Sequence, residues 1–188
     1  MKKIKKREGF TLVELLIVIV VIGILSAMMM LSSNEAVSSA KAAKIISDLR
    51  NLKTAVLAWY ADNLDYVESS KFTNLNDNSA DILKYLGNEG IKGDYEFSDN
   101  NNDIGQDDSQ RGQKVWYVWW IAEAQNDKKV IRKLAKRGQT AQLRFTHTRK
   151  DWQPSAGYFT EEKYDSLSWG PRCIGLHILG TDKYGAGR

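Results

Sequence analysis

At 188 residues the chain allows one body of ordinary domain size with an appendage, and it is too short for a multidomain enzyme. A hydrophobic fraction of 43% with mean hydropathy −0.43 excludes a polytopic membrane protein, while 10% aromatics and only two prolines argue against wholesale disorder. The formal net charge of +4 sits in the first nine residues, where Lys2, Lys3, Lys5, Lys6 and Arg7 face one acid, Glu8; the remainder balances 22 basic against 22 acidic residues, so charge alone does not point to nucleic acid.

From Phe10 to Leu31 the sequence reads FTLVELLIVIVVIGILSAMMML, 22 residues with a single charge, Glu14. As a helix rising about 1.5 Å per residue this stretch spans roughly 33 Å, which matches a bilayer hydrocarbon core of about 30 Å. The basic cluster ahead of it predicts a cytoplasmic N-terminus and a body on the far side of the membrane. The run leads through Met28, Met29 and Met30 into Ser32, Ser33 and Asn34, which is no secretory cleavage site. A carboxylate inside a bilayer costs about 2.5–3.5 kcal/mol on insertion scales, so Glu14 calls for a partner or a function. An uncleaved signal anchor explains the hydrophobicity and the topology but not that charge. Gly23, mid-helix, permits close helix approach or local melting, or is simply a tolerated membrane glycine.

The residues around the start of the run, Lys5, Lys6, Arg7, Glu8, Gly9 and then Phe10, Thr11, Leu12, Val13, Glu14, resemble the type IV pilin superfamily, that is, the pilins and the pseudopilins of type II secretion. The resemblance implies that a prepilin peptidase cuts after Gly9 and methylates the new N-terminal Phe10, so that residues 1–9 are a leader. It also implies that Glu14 neutralises the N-terminal amine of an adjacent subunit during assembly. The implied partners are the peptidase, identical or homologous subunits in a filament, an inner-membrane assembly platform and membrane lipid.

Beyond Asn34 neither Pro nor Gly occurs until Gly87, and Ile45, Leu49, Leu52, Val56 and Trp59 recur at spacings of 4, 3, 4 and 3. At 100° per residue they form one apolar stripe with Tyr60 at its edge, while Ser47, Asn51, Thr54 and Asp62 face away. A single helix from Phe10 to about Asn63, roughly 80 Å long at about 1.5 Å per residue, is predicted. Its first half, 10–34, lies in lipid or a filament core, and its amphipathic second half, 35–63, packs on a body formed by 64–188. The stretch LRNLKTAVLAWYADN is similar to the same region of pseudopilins, so the resemblance reaches about residue 64. Two features depart from the superfamily: Leu31 stands where many members have Pro, and the C-terminal disulfide pair of many type IV pilins is missing, Cys173 being the only cysteine.

Within the body, Ser79 to Gly87 reads as a short helix with Ser79 at the cap and Gly87 at the exit. Lys114 to Ile121, KVWYVWWI, reads as a core strand. Asp127 caps an amphipathic helix, Lys128 to Arg137, with Val130, Ile131, Leu134 and Ala135 on one side, six Lys/Arg on the other and Gly138 at its end. Strands around Ala141 to His147 and Cys173 to Leu179 complete an α+β class: a long N-terminal helical spine on a small antiparallel sheet, the pilin fold that the resemblance implies.

Asp99, Asn101 and Asp103 alternate like the first ligands of a calcium loop, in a stretch where Glu89 to Asp108 holds seven acids and one Lys. Ile104 stands where an EF-hand needs Gly and Gln110 where it needs Glu, so a calcium site and a solvated acidic loop both remain open readings. Lys128 to Lys150 contains nine basic residues and no acid, a surface suited to DNA phosphates, to solvent or to a complementary subunit. Of Cys173, His147 and His177, a conceivable thiol and base, Cys173 and His177 lie on a probable strand whose spacing of four puts them on one face without requiring contact, and they read as a core thiol and a surface imidazole. With no P-loop, dinucleotide fingerprint, HExxH or GxSxG, the expectation is a structural subunit without enzyme activity and without a required cofactor.

Overall fold

The computed structural model describes residues 9–69, 71–87, 95–100, 115–122, 128–146, 157–167, 171 and 173–179. They fall into two compact units, Met1–Ser38 and Ser39–Arg188. The described part of the first unit is Gly9 to Thr11 and the opening of helix α1, Leu12–Asp62. Its large apolar side chains stand bare, from Val18 at 48% exposure to Leu12 at 80%. So long an apolar run on all faces of a helix is stable in lipid or against other apolar helices, not in water. The helix begins two residues later than the predicted Phe10.

In the second unit the predicted stripe of α1 is the buried one. Ile45, Leu49, Leu52, Val56 and Trp59 belong to the main core, and Ser47, Asn51, Thr54 and Asp62 are exposed. Opposite the stripe lies an antiparallel sheet of four strands in the order β1-β2-β4-β3: β1 Tyr95–Asn100, β2 Val115–Ile121, β3 Arg144–Thr146 and β4 Cys173–Leu179. Alternate residues of β2, Trp116, Val118 and Trp120, join the main core, while Tyr117 and Trp119 join a second cluster with Cys173. Burial on both faces is why β2 reads as a continuous apolar run instead of an alternation. The Trp116 ring meets Tyr60 edge-on at 5.2 Å, Phe72 at 5.8 Å and Trp59 at 6.5 Å, so Trp116 is a packing residue.

Two tyrosine hydroxyls fasten other elements to α1. Tyr95 at the start of β1 donates to Asp48 Oδ2 at 3.0 Å, and Tyr85 donates to Asp62 Oδ2 at 2.9 Å. Tyr85 follows α3, Ser79–Lys84; the short α2, Leu64–Glu68, precedes it. The cap expected at Ser79 is not there. Asn74 accepts from the Asp77 N–H at 2.8 Å, Asp77 in turn accepts from the Thr73 hydroxyl at 2.8 Å, and a 3-10 turn, Asn76–Asn78, forms ahead of the helix. Ser79 is therefore already inside the helix, which closes at Lys84, with Gly87 leaving the turn at φ +82°.

Helix α4, Lys128–Arg137, has the predicted bounds and buries Val130, Ile131, Leu134 and Ala135. Asp127, its expected cap, lies outside the described residues. The turn after α4 is tight: a Cβ on Gly138 would sit 1.6 Å from the Phe159 carbonyl oxygen, Gly138 O accepts from the Leu143 N–H at 2.7 Å, and Gln142 holds φ +58°. That turn delays the strand expected from Ala141 to Arg144. His147, its expected end, lies outside the described residues. Helix α5, Glu161–Ser166, was not legible as such; Thr160 caps it, accepting from the Lys163 N–H at 3.4 Å.

Candidate functional site

The Gly9–Phe10 junction is non-helical and exposed. Phe10 is 86% accessible, and no atom lies within 4 Å of where a Cβ on Gly9 would stand. A scissile bond must enter a protease in extended form, and an α-helical bond would first have to unwind; this one lies outside the helix.

What ends the helix there is Thr11. Its carbonyl accepts the first intrahelical bond, from Leu15 N at 3.2 Å, which makes it the N-cap residue. Its hydroxyl accepts from the Glu14 N–H at 3.3 Å, and the Glu14 carboxylate reaches back: Oε2 accepts from the Thr11 N–H at 2.8 Å and from the Thr11 hydroxyl at 2.8 Å. This is a reciprocal capping box, in which two otherwise orphaned backbone donors and one carboxylate oxygen satisfy one another. The first-turn position also places the negative charge at the positive end of the helix dipole.

Glu14, by its sequence a charge in need of a partner, has an unforeseen local one in Thr11. The signal was present, because Thr-Leu-Val-Glu is the T-x-x-E signature ahead of an apolar run. The geometry gives the carboxylate two distinct oxygens. Oε2 is committed to Thr11, whereas Oε1 accepts no hydrogen bond among the described residues. A cation arriving from outside can bind Oε1 without first dismantling the cap.

The calcium reading meets a strand. The Asp99 backbone lies in β1 opposite Trp116, not in a loop, while Asn101 and Asp103 lie outside the described residues. Tyr95 and Phe97 point this strand's apolar side inward, and the acids between and after them obscured it. Among the described residues no group of three metal-ligating side chains occurs.

Cys173 and His177 share one face of β4, as their spacing predicted, and Cys173 is fully buried. His177 is half-buried against the Tyr117 ring at 5.4 Å, a correction to the expected surface imidazole. Between the two on that face lies Gly175, where an added Cβ would meet the Trp119 ring at 2.6 Å. The indole thus covers the strand between thiol and imidazole, and Trp119 Nε1 donates to Ser98 at 2.7 Å to hold it there.

Residues 4–30 match the family model described as the prokaryotic N-terminal methylation motif. No curated protein and no solved structure matches the chain. The motif supports the type IV pilin-like superfamily and indicates a subunit processed by prepilin peptidase. A long helix on a four-stranded antiparallel sheet is the architecture the resemblance implied.

Proposed function

We propose that this pilin-like subunit is a type II secretion pseudopilin. Cleavage between Gly9 and Phe10 and methylation of the new amine leave the apolar part of α1 as an inner-membrane anchor. An assembly platform then draws the subunit into a pseudopilus of identical or homologous subunits, with the bodies on the outside. The work is mechanical; no catalysis and no cofactor is invoked.

The observation that carries the reading is the arrangement at the start of α1: an exposed, non-helical Gly9–Phe10 junction, then a bare apolar stretch, 12–30, whose single acid keeps one oxygen uncommitted among the described residues. In an apolar filament core an uncompensated carboxylate is costly, so the lowest-energy register is the one that brings a neighbour's N-terminal amine to Glu14. Two sequence features favour the secretion branch over a surface pilus: the pseudopilin-like stretch from Leu49 to Asn63 and the absence of a second cysteine.

Mass spectrometry of the cellular product tests processing, with N-methyl-Phe10 as the expected terminus and an intact Met1 as the refuting one. Glu14→Leu is expected to insert and be processed yet to give no sheared filaments. Deletion of the gene separates the branches: loss of extracellular protein export supports the pseudopilin, whereas intact export with lost surface adhesion, motility or DNA uptake assigns a type IV pilus subunit.

A further inference from the structure

One flank of the second half of α1 and the end of α4 enclose a groove of about 480 Å³, and three cations from two elements converge on it: Arg50 from α1, Lys136 and Arg137 from α4. Ile46 contributes an apolar wall; Asn51 and Thr140 offer hydrogen-bonding groups. We infer that this groove receives the acidic segment Glu89–Asp108 of a second copy of the chain, an inference that rests on the filament-subunit reading above.

Among the described residues the positive charge of the groove is only partly cancelled. Helix α5 matches the outward side of α4, with Arg132 to Asp165 at 2.8 Å and Lys136 to Glu161 at 3.5 Å. Arg50 and Arg137 are exposed and make no ion pair among the described residues. A net of roughly two positive charges therefore remains at a concave site lined with hydrogen-bond donors, which selects an anionic occupant.

The chain supplies a complementary occupant, because Glu89 to Asp108 carries seven acids and one Lys. Within one copy the described part of that segment, β1, lies away from the groove. Strand β1, inside that segment, is one edge of the sheet, and β3, which follows the groove turn, is the other. Three strand spacings of about 4.8 Å separate these edges by about 14 Å. Tyr95 of β1 bonds Asp48, whereas Arg50 lines the groove; two residues apart at 100° each, they project from α1 about 160° apart. With β1 and the groove on opposite flanks, a contact between one copy's segment and the next copy's groove is heterologous, the kind that repeats into an open helical array instead of closing a dimer. A nucleic acid is the poorer fit: phosphates need cations spread in a row, and here two of the six on α4 are already engaged by α5 while three cations line a single groove.

Two tagged forms of the full chain, one Thr140→Cys and the other Asp107→Cys, are produced together in cells carrying the assembly machinery and treated with a short bismaleimide. Native Cys173 is fully buried and serves as the unreactive background. A cross-tag adduct is expected, reduced about tenfold by Arg50→Glu with Arg137→Glu and restored when the Asp107→Cys copy also carries Asp103→Lys and Asp108→Lys. These are exposed or sequence-acidic positions, and unchanged processing of each variant verifies folding and insertion. An adduct insensitive to charge reversal, or one formed equally within a doubly substituted single copy, overturns the inference. So does retardation of DNA by the full chain in detergent that Arg50→Glu with Arg137→Glu abolishes, which gives the groove to nucleic acid. Abundant filaments without the adduct overturn the contact and leave the filament reading standing; no filaments from the unsubstituted chain removes both.

Discussion

At Glu14 one carboxylate oxygen serves its own helix end, and the other is the one proposed above to meet a neighbour's amine. The capping box divides the labour between its oxygens, and the division can be tested at Thr11. Thr11→Val keeps the shape and removes the hydroxyl that bonds Glu14 at 2.8 Å. A lost N-cap costs about 1 kcal/mol. The expected result is intact processing with a filament yield lowered severalfold, a milder loss than the complete one from Glu14→Leu, read by quantifying sheared filaments. Glycines at close approaches set a second residue-scale expectation. Gly138→Ala would drive a methyl into the Phe159 carbonyl and Gly175→Ala another into the Val118 carbonyl, 2.1 Å from the new Cβ. Each clash is with backbone, which cannot rotate away, so each variant should lose about 3 kcal/mol, seen as a lower urea midpoint. Gln142, the one described non-glycine residue at positive φ, reports the opposite constraint: Gln142→Val is expected to destabilise by about 1 kcal/mol or more.

Among the elements, legibility followed how plainly burial is written into spacing. The α1 stripe, α4 and β4 were readable to the residue because each carries an undiluted periodic apolar pattern. Strand β1 was hidden because only Tyr95 and Phe97 carry its inward face, amid acids that read as a loop. The cap of α3 was misassigned because a side-chain network on Asn74 and Asp77, invisible to periodicity, starts the turn three residues earlier. The Tyr85 tether after α3 was equally invisible, since a contact 23 residues apart leaves no local trace. It has a pH signature. Donation to Asp62 holds the Tyr85 hydroxyl above its ordinary value near 10.0. A group raised on folding lends its stability below the unfolded pKa and withdraws it as pH rises through the folded one. Unfolding curves of the parent and Tyr85→Phe should therefore keep a constant separation up to about pH 10 and converge above it. A separation unchanged at higher pH would dismiss the tether.

For the molecule as a whole, the sequence divides its tasks along one helix, and the core respects the division. Every residue of the main core, from Ala42 on α1 to Ile178 on β4, lies in the Ser39–Arg188 unit; the large apolar residues described before it are bare. The charge map makes the same separation, since the excess of basic residues sits in the first nine positions and the rest is balanced. A fragment beginning at Ser39 therefore keeps the complete core and should be soluble, with one cooperative unfolding transition. A fragment beginning at Leu52 loses Ala42, Ile45, Ile46 and Leu49, all under 9% exposed. Removing one buried Leu or Ile side chain costs about 2–5 kcal/mol, so losing three costs about 6–15 kcal/mol, as much as the roughly 5–15 kcal/mol that holds a whole domain together. The shorter fragment is expected to show no transition and to expose Trp59 and Trp116 to fluorescence quenchers. Cooperative unfolding of the shorter fragment would mean that α1 merely lies on the sheet. Its failure beside a stable Ser39 fragment would make the second half of the spine part of the fold, so that a pull on the anchor is borne by the core itself.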